Sequence, residues 1–283
     1  MIYKLQTLTR RFRNPAALWA AVNYALRRPG RAWKHLTRTG SDSWIADNFA
    51  TRPEYQAFVR EIEDSELVRN IDAQLAKRFA AIKGRTARGN PYTPGAMIRQ
   101  QAFNIYALIR KRRPGVLVET GVCNGFSTAI FLAALNRNGA GHLYSIDYPE
   151  FVGDQTPAAS QWAGKGGAVV PAGETSGWLV PLELRHRWTL ILGKSQDKLP
   201  SLLTELKAMD LFVHDSEHSL ENQLFEFRLA FHHLVANGLL LASDITWSPA
   251  FEQFWPEVRG RARRHFMDHN LALVIKQGAG AGT

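Results

Sequence analysis

One cysteine, Cys123, is all that 283 residues contain, which excludes a disulfide framework or a cysteine-based zinc site within the chain. A reducing, cytosolic setting is the expectation from that usage. Long apolar runs are missing as well: none approaches the roughly 20 residues that span a bilayer. The first residues lack the apolar core and small-residue cleavage site of a secretory leader. Acidic side chains are absent from residues 1–40, which carry nine Lys or Arg. Residues 41–283 hold 26 basic and 25 acidic side chains, so the net charge of +10 belongs almost wholly to the N-terminal arm. The body is nearly neutral, and nucleic acid is not an expected partner.

What is present begins with that arm. Its basic residues alternate with Leu5, Leu8, Phe12, Leu18, Trp19, Val22 and Trp33. Such a stretch suits a helix on an anionic membrane surface. It equally suits an arm packed on the body or on a second subunit, or a cleaved transit segment. Peripheral membrane contact and a homodimer are therefore both open. Residues 41–91 read as a helical extension: Thr51-Arg-Pro-Glu54 opens a helix with a capping box, and Leu67, Ile71, Leu75 and Phe79 share one helical face. After a loop at 83–91, Thr93-Pro94 reads as an N-cap and first helical residue, with Ile98, Ala102, Ile105 and Ile109 as the apolar face.

An apolar composition of 45% over this length is enough for one large core. From residue 92 to 275 strands and helices alternate. The strands expected are Val116–Val118, His142–Ile146, Thr189–Leu192, Leu211–His214 and Gly238–Ala242. That rhythm predicts an α/β domain with a doubly wound, mainly parallel, Rossmann-like sheet and an N-terminal helical extension. Residues 148–187, rich in Gly, Pro, Ser and Thr with Trp162 and Trp178 embedded, break the rhythm and read as a substrate-side lid. Residues 276–283 read as a flexible tail.

The centre of the chemistry is Val116–Pro149. A strand runs into Glu119-Thr-Gly121-Val-Cys123-Asn-Gly125, a helix follows from about Ser127, and a second strand ends on Asp147. Strand, glycine turn, helix, strand and acid make the βαβ unit that cradles a nucleoside. The middle glycine of G-x-G-x-x-G is missing, which counts against a dinucleotide. Glu119 before the turn suits a ligand with a cationic end.

The stretches VETGVCNGFST, LYSIDYP, LILGKSQDKLPSLL, DLFVHDSEH and GLLLASDITW, in that order, resemble a class I S-adenosylmethionine-dependent methyltransferase. The HDSEH stretch resembles the branch with macrolide-sugar O-methyltransferases and cephalosporin-hydroxylase-like proteins. The resemblance implies S-adenosyl-L-methionine (SAM) as cofactor, contacted by Glu119, Gly121, Cys123, Gly125, Ser127, Asp147, Tyr148, Ser195 and Asp215. Ser127 would open the helix and satisfy its free N–H groups, Asp147 would hold the ribose, and Tyr148 would lie along the adenine. Lys194 and Ser195 fall where the adenine edge is contacted, and Ser195 also reads as a plain helix N-cap. Asp215 and His218 would point into the crevice, His218 as general base. Asp215 and Asp244 would be ligands for a Mg²⁺, with waters, substrate oxygens or Glu217 completing the set. The implied reaction is O-methylation of a small-molecule or glycan acceptor. A hydroxylase on the same scaffold and a non-catalytic SAM-binding or membrane-associated module are the rivals.

Overall fold

Short β-branched and leucine-rich runs, separated by longer stripes of helical period, sort this chain into a sheet with helices on both faces. The computed structural model describes residues 40–79, 97–151, 169–170 and 173–278. The basic arm, the loop at 83–91, Thr93-Pro94, Trp162 and the C-terminal tail past residue 278 lie outside the described residues. The strands are β1 (Val116–Thr120), β2 (His142–Asp147), β3 (Glu150–Phe151), β4 (Val169–Val170), β5 (Trp188–Leu192), β6 (Met209–His214), β7 (Leu234–Ala242), β8 (Ala262–Phe266) and β9 (Ala272–Lys276). Seven of them form one sheet in the order β5-β2-β1-β6-β7-β9-β8, and β3 and β4 pair separately. β1, β2, β5, β6 and β7 are parallel, while β9 runs antiparallel between β7 and β8. The mainly parallel, doubly wound sheet is as expected.

The helices are α1 (Ser43–Asn48), α2 (Arg52–Glu63), α3 (Glu66–Phe79), α4 (Arg99–Arg112), α5 (Phe126–Asn138), α6 (Ser195–Leu206), α7 (Leu220–His233) and α8 (Ala250–Val258). Two apolar layers result from the period-two alternation along the strands. Leu117, Val213 and Leu241 face α1 to α5, and Val118, Phe212 and Leu240 face α6 to α8. Each fully buried Leu, Ile or Phe contributes about 1.5–3 kcal/mol. α2 is capped as expected: Thr51 Oγ1 accepts the Glu54 N–H at 3.2 Å, and Glu54 accepts the Ala50 N–H at 2.8 Å. Trp44, Ile62, Ile71 and Leu75 from the helical extension join the core of α4 and α5. No described helix is long and apolar enough to cross a membrane.

Several boundaries differ from the sequence reading. α4 starts at Arg99, because its N-cap Ile98 is extended, and Ile98 is 51% exposed rather than on the apolar face. β7 begins at Leu234, directly after α7 ends at His233, four residues before the expected start at Gly238. β8 and β9 were not read as strands. β8 is arginine-rich and exposed at the sheet edge, so it lacks the apolar run that marks a buried strand.

Register fixes where chemistry can gather. Thr120 pairs with His214, and His214 with Ala242. The residues that follow, Gly121, Asp215 and Ser243-Asp244, therefore emerge side by side at the carboxyl edge of the sheet. β1 has β2 on one side and β6 on the other, so the connections diverge there and leave a crevice.

Candidate active site

The turn after β1 is shaped by backbone that side chains resist. Gly121 has φ +89°, and a Cβ there would collide with the Asp215 carbonyl oxygen. Cys123 also lies in the left-handed region, at φ 51°. Gly125, at φ 87°, is the N-cap of α5. The helix expected from Ser127 thus begins one residue earlier, and Ser127 caps nothing: its Oγ donates to Glu119 Oε1 at 3.0 Å. Glu119 is fully buried under the turn, where Thr128 and Ser145 hydroxyls also donate to its Oε2 at 2.9 and 2.8 Å. Burial, against those three hydroxyls, pushes its carboxyl up to about 7. Glu119 ties β1, β2 and α5 together from beneath instead of opening onto the crevice.

Asp147, at the tip of β2, is 7% exposed. Its Oδ1 accepts the Val122 N–H at 3.1 Å, and its Oδ2 accepts the Ser176 hydroxyl. Burial raises its carboxyl above the ordinary range. Tyr148 beside it is 64% exposed, and Lys194 Nζ lies 5.7 Å from the Tyr148 ring centroid. Lys194, not Ser195, is the N-cap of α6, and it makes no side-chain cap. Ser195 is the first helical residue and donates to Asn222 Oδ1 at 3.1 Å. The N-cap reading of Ser195 is therefore corrected.

At the tips of β6 and β7 the structure brings Asp215, His218 and Asp244 together, with one ligand-type atom from each lying within 4.8 Å of the others. Ser219 caps α7 by accepting the Asn222 N–H at 3.2 Å, which closes the Asp215–Ser219 turn over the strand end. Asp244 sits at φ 53°, a strained backbone for an aspartate. His218 Nε2 is 2.9 Å from Asp244 Oδ2, and the Asn270 amide donates to Asp244 Oδ1. Glu217, offered from the sequence as a further metal ligand, is exposed and outside the cluster. Trp247 packs on His218 at 5.3 Å between ring centroids, while Phe251 and Phe254 are core.

Behind this cluster lies a fully buried pair. His214 Nδ1 is 2.7 Å from Glu226 Oε2, and His218 Nδ1 is 3.4 Å from His214 Nε2. Glu226 also accepts from Ser216 at 2.7 Å and Asn222 at 3.0 Å. Burial alone would raise Glu226, but the His214 imidazole and the hydroxyl donors outweigh it and hold the carboxyl at about 2. Asp215 is driven well above the ordinary range by burial and by the Asp244 charge. Asp244 is held below it: burial is overcome by the attraction and hydrogen bond of His218, with Asn270 assisting.

Glu226, Asn270 and Ser176 were not picked out from sequence. Glu226 did carry a signal, since it lies among Gln223, Phe227 and Ala230 on the buried face of α7, where an acid needs a partner. Asn270 and Ser176 carried none.

Residues 118–245 match the family model described as a methyltransferase domain. No curated protein matches the chain. Among solved structures, the O-methyltransferase TomG from Streptomyces achromogenes, involved in tomaymycin synthesis and in complex with SAM, superimposes with a TM-score of 0.50 at 15% identity, covering 74% of this chain and 90% of that one. The O-methyltransferase from Bacillus cereus in complex with SAH aligns with a TM-score of 0.51 at 11% identity, covering 73% of this chain and 90% of that one. The fold is that of class I methyltransferases, and the resemblance read from the five motifs is borne out.

Proposed function

We propose that this methyltransferase domain transfers the methyl group of S-adenosylmethionine to a hydroxyl of a small-molecule or glycan acceptor. The observation that carries the reading is the meeting, at one sheet edge, of a nucleoside-type turn ending on Asp147 with the cluster Asp215, His218 and Asp244. The first suits an adenosine: a buried carboxylate at the tip of β2 accepts ribose hydroxyls through charge-assisted bonds, with the exposed Tyr148 ring alongside. The second suits activation of a hydroxyl.

In the transfer the S–CH₃ bond breaks as the O–CH₃ bond forms, and the hydroxyl proton must leave. Both ring nitrogens of His218 already have partners, Asp244 on one side and His214 on the other. The geometry therefore favours Asp215 as proton acceptor, a carboxylate whose raised pKa suits a general base. His218 orients Asp244 and keeps it ionised beside the crevice. Charge is neutralised as sulfonium and alkoxide character merge, so a dry site assists, and holding both reactants in line supplies much of the rest.

The cluster also fits a divalent cation. Two carboxylates and an imidazole converge within 4.8 Å, and the repulsion between Asp215 and Asp244 is of the kind a cation relieves. Asp215, His218 and Asp244 would hold it, His218 Nε2 giving up its contact with Asp244 to the ion and Asp215 then serving as ligand in place of proton acceptor. When bound, such an ion supplies a Lewis acid that lowers the acceptor pKa.

The test is transfer of labelled methyl from SAM to a panel of hydroxylated acceptors, with calorimetry of SAM and SAH on the full chain. Binding of either compound with labelled ether product supports the proposal. Uptake of NAD with no response to SAM or SAH would sink it.

A further inference from the structure

The segment at residues 173–180 is fitted onto the glycine turn. The Gly177 N–H donates to Cys123 O at 2.8 Å, and the Leu179 N–H to Asn124 O at 3.1 Å. Trp178 Nε1–H donates to Asn124 Oδ1 at 2.6 Å. The approach is close enough to demand glycine on both sides: a Cβ on Gly125 would lie 2.6 Å from Gly177 Cα, and one on Gly177 would enter the Trp188 ring. From this strap Ser176, itself buried, donates its hydroxyl to Asp147 Oδ2. Asp147 Oδ1 is taken by the Val122 N–H. Both oxygens of the carboxylate at the tip of β2 are thus engaged, and the one turned away from the backbone of the turn is held by a hydroxyl group.

We propose that Ser176 is a built-in competitor for the ribose of the methyl donor: residues 173–180 latch over the nucleoside subsite in the free protein, and the latch opens as a ribose hydroxyl replaces Ser176 on Asp147. The inference rests on the reading of Asp147 as the ribose carboxylate. On Asp147 itself the exchange is like for like, hydroxyl for hydroxyl on the same carboxylate oxygen, and the second ribose hydroxyl offsets the hydrogen bonds that Gly177, Trp178 and Leu179 give up to the turn as the strap lifts. Occupancy of the donor site is then coupled to the position of a strap whose far end, at Glu174, pairs with Arg78 of α3 at 3.0 Å. The donor is the arriving group that frees the strap, consistent with binding energy being used to reorganise a covering loop.

Two readouts on the full-length chain test this. SAH affinity is measured by calorimetry for wild type, Ser176→Ala and Ser176→Thr. Amide exchange at Gly177 and Leu179 is followed with and without SAH. Ser176→Ala should bind SAH about five- to tenfold more tightly, about the net strength of one ordinary intramolecular hydrogen bond. It should also exchange both amides faster when free, as the wild type does only with SAH present. Ser176→Thr, which keeps the hydroxyl, should behave as wild type. Equal or weaker SAH binding by Ser176→Ala overturns the competition, and unchanged exchange overturns the latch. Failure of every form to bind SAH overturns the donor reading and the competition with it, whereas faster exchange in Ser176→Ala would still uphold the latch.

Discussion

His218 Nε2 stands 2.9 Å from Asp244 Oδ2, a contact that joins the turn after β6 to the tip of β7. Asp244 is kept ionised by it while Asp215 is pushed the other way. Two neighbouring acids with opposed environments are how one site keeps a fixed charge and a proton carrier side by side.

His218→Ala removes the group that holds Asp244 in place. Methyl transfer should fall about 100-fold, while SAH affinity changes little, because the nucleoside end of the crevice is untouched. Rate constants and SAH calorimetry on the same preparation check this. An unaltered rate would show that the pair has no part in the reaction.

Asp215→Asn should separate activity from stability. It removes the proposed proton acceptor, for a loss of about 10²- to 10⁴-fold in rate. It also removes the repulsion with Asp244, so the melting temperature should hold or rise. In the wild type, the acid limb of the pH–rate profile should lie above the ordinary aspartate range, since the ionised form is required. A limb near that ordinary range would argue against Asp215.

Cation binding is readable without turnover. Mg²⁺ or Mn²⁺ added after chelation should raise the melting temperature of the wild type by linkage, and the shift should vanish in Asp244→Asn. A shift that persists in that variant would locate the ion elsewhere.

Two buried glutamates make opposite contributions to pH-dependent stability. Glu119 is raised from 4.5 to about 7, so the folded state keeps a proton that the unfolded chain has released. Its contribution is complete below about pH 4.5 and declines as pH climbs through 7, by a total of the order of 3 kcal/mol. Glu226 is lowered from 4.5 to about 2. Its contribution is present above about pH 4.5 and disappears as pH falls toward 2. Melting curves across this range should show Glu119→Gln flattening the neutral decline. Glu226→Gln should destabilise most at neutral pH, because it leaves His214 buried without its carboxylate.

Gly121→Ala should weaken SAH binding at least tenfold while leaving the far side of the fold intact. The added carbon meets the Asp215 carbonyl oxygen in a left-handed turn. Calorimetry and circular dichroism together check it, and wild-type affinity would mean the turn tolerates what its geometry forbids.

The parallel strands and the turn were legible because their signals are local. A run such as Val-Leu-Val before Glu119-Thr-Gly121 has one good use, a buried strand ending in a tight turn. The grouping of Asp215 with His218 was legible for the same reason, since both sit on one strand tip. β8 escaped notice because Arg263 and Arg264 interrupt its pattern at an exposed edge. The cap assigned to Ser127 failed because a buried acid nearby made a stronger claim on its hydroxyl.

The order of residues alone determined the parallel strands, the glycine turn and which acids stand at strand ends, because periodicity and turn chemistry act over a few neighbouring residues. Only the folded chain decided that Asp244 would meet His218, that Glu226 would anchor His214, and that Ser176 would close on Asp147. Those pairings follow from strand register and from a strap crossing the turn, and contacts between segments distant in sequence leave no periodic trace.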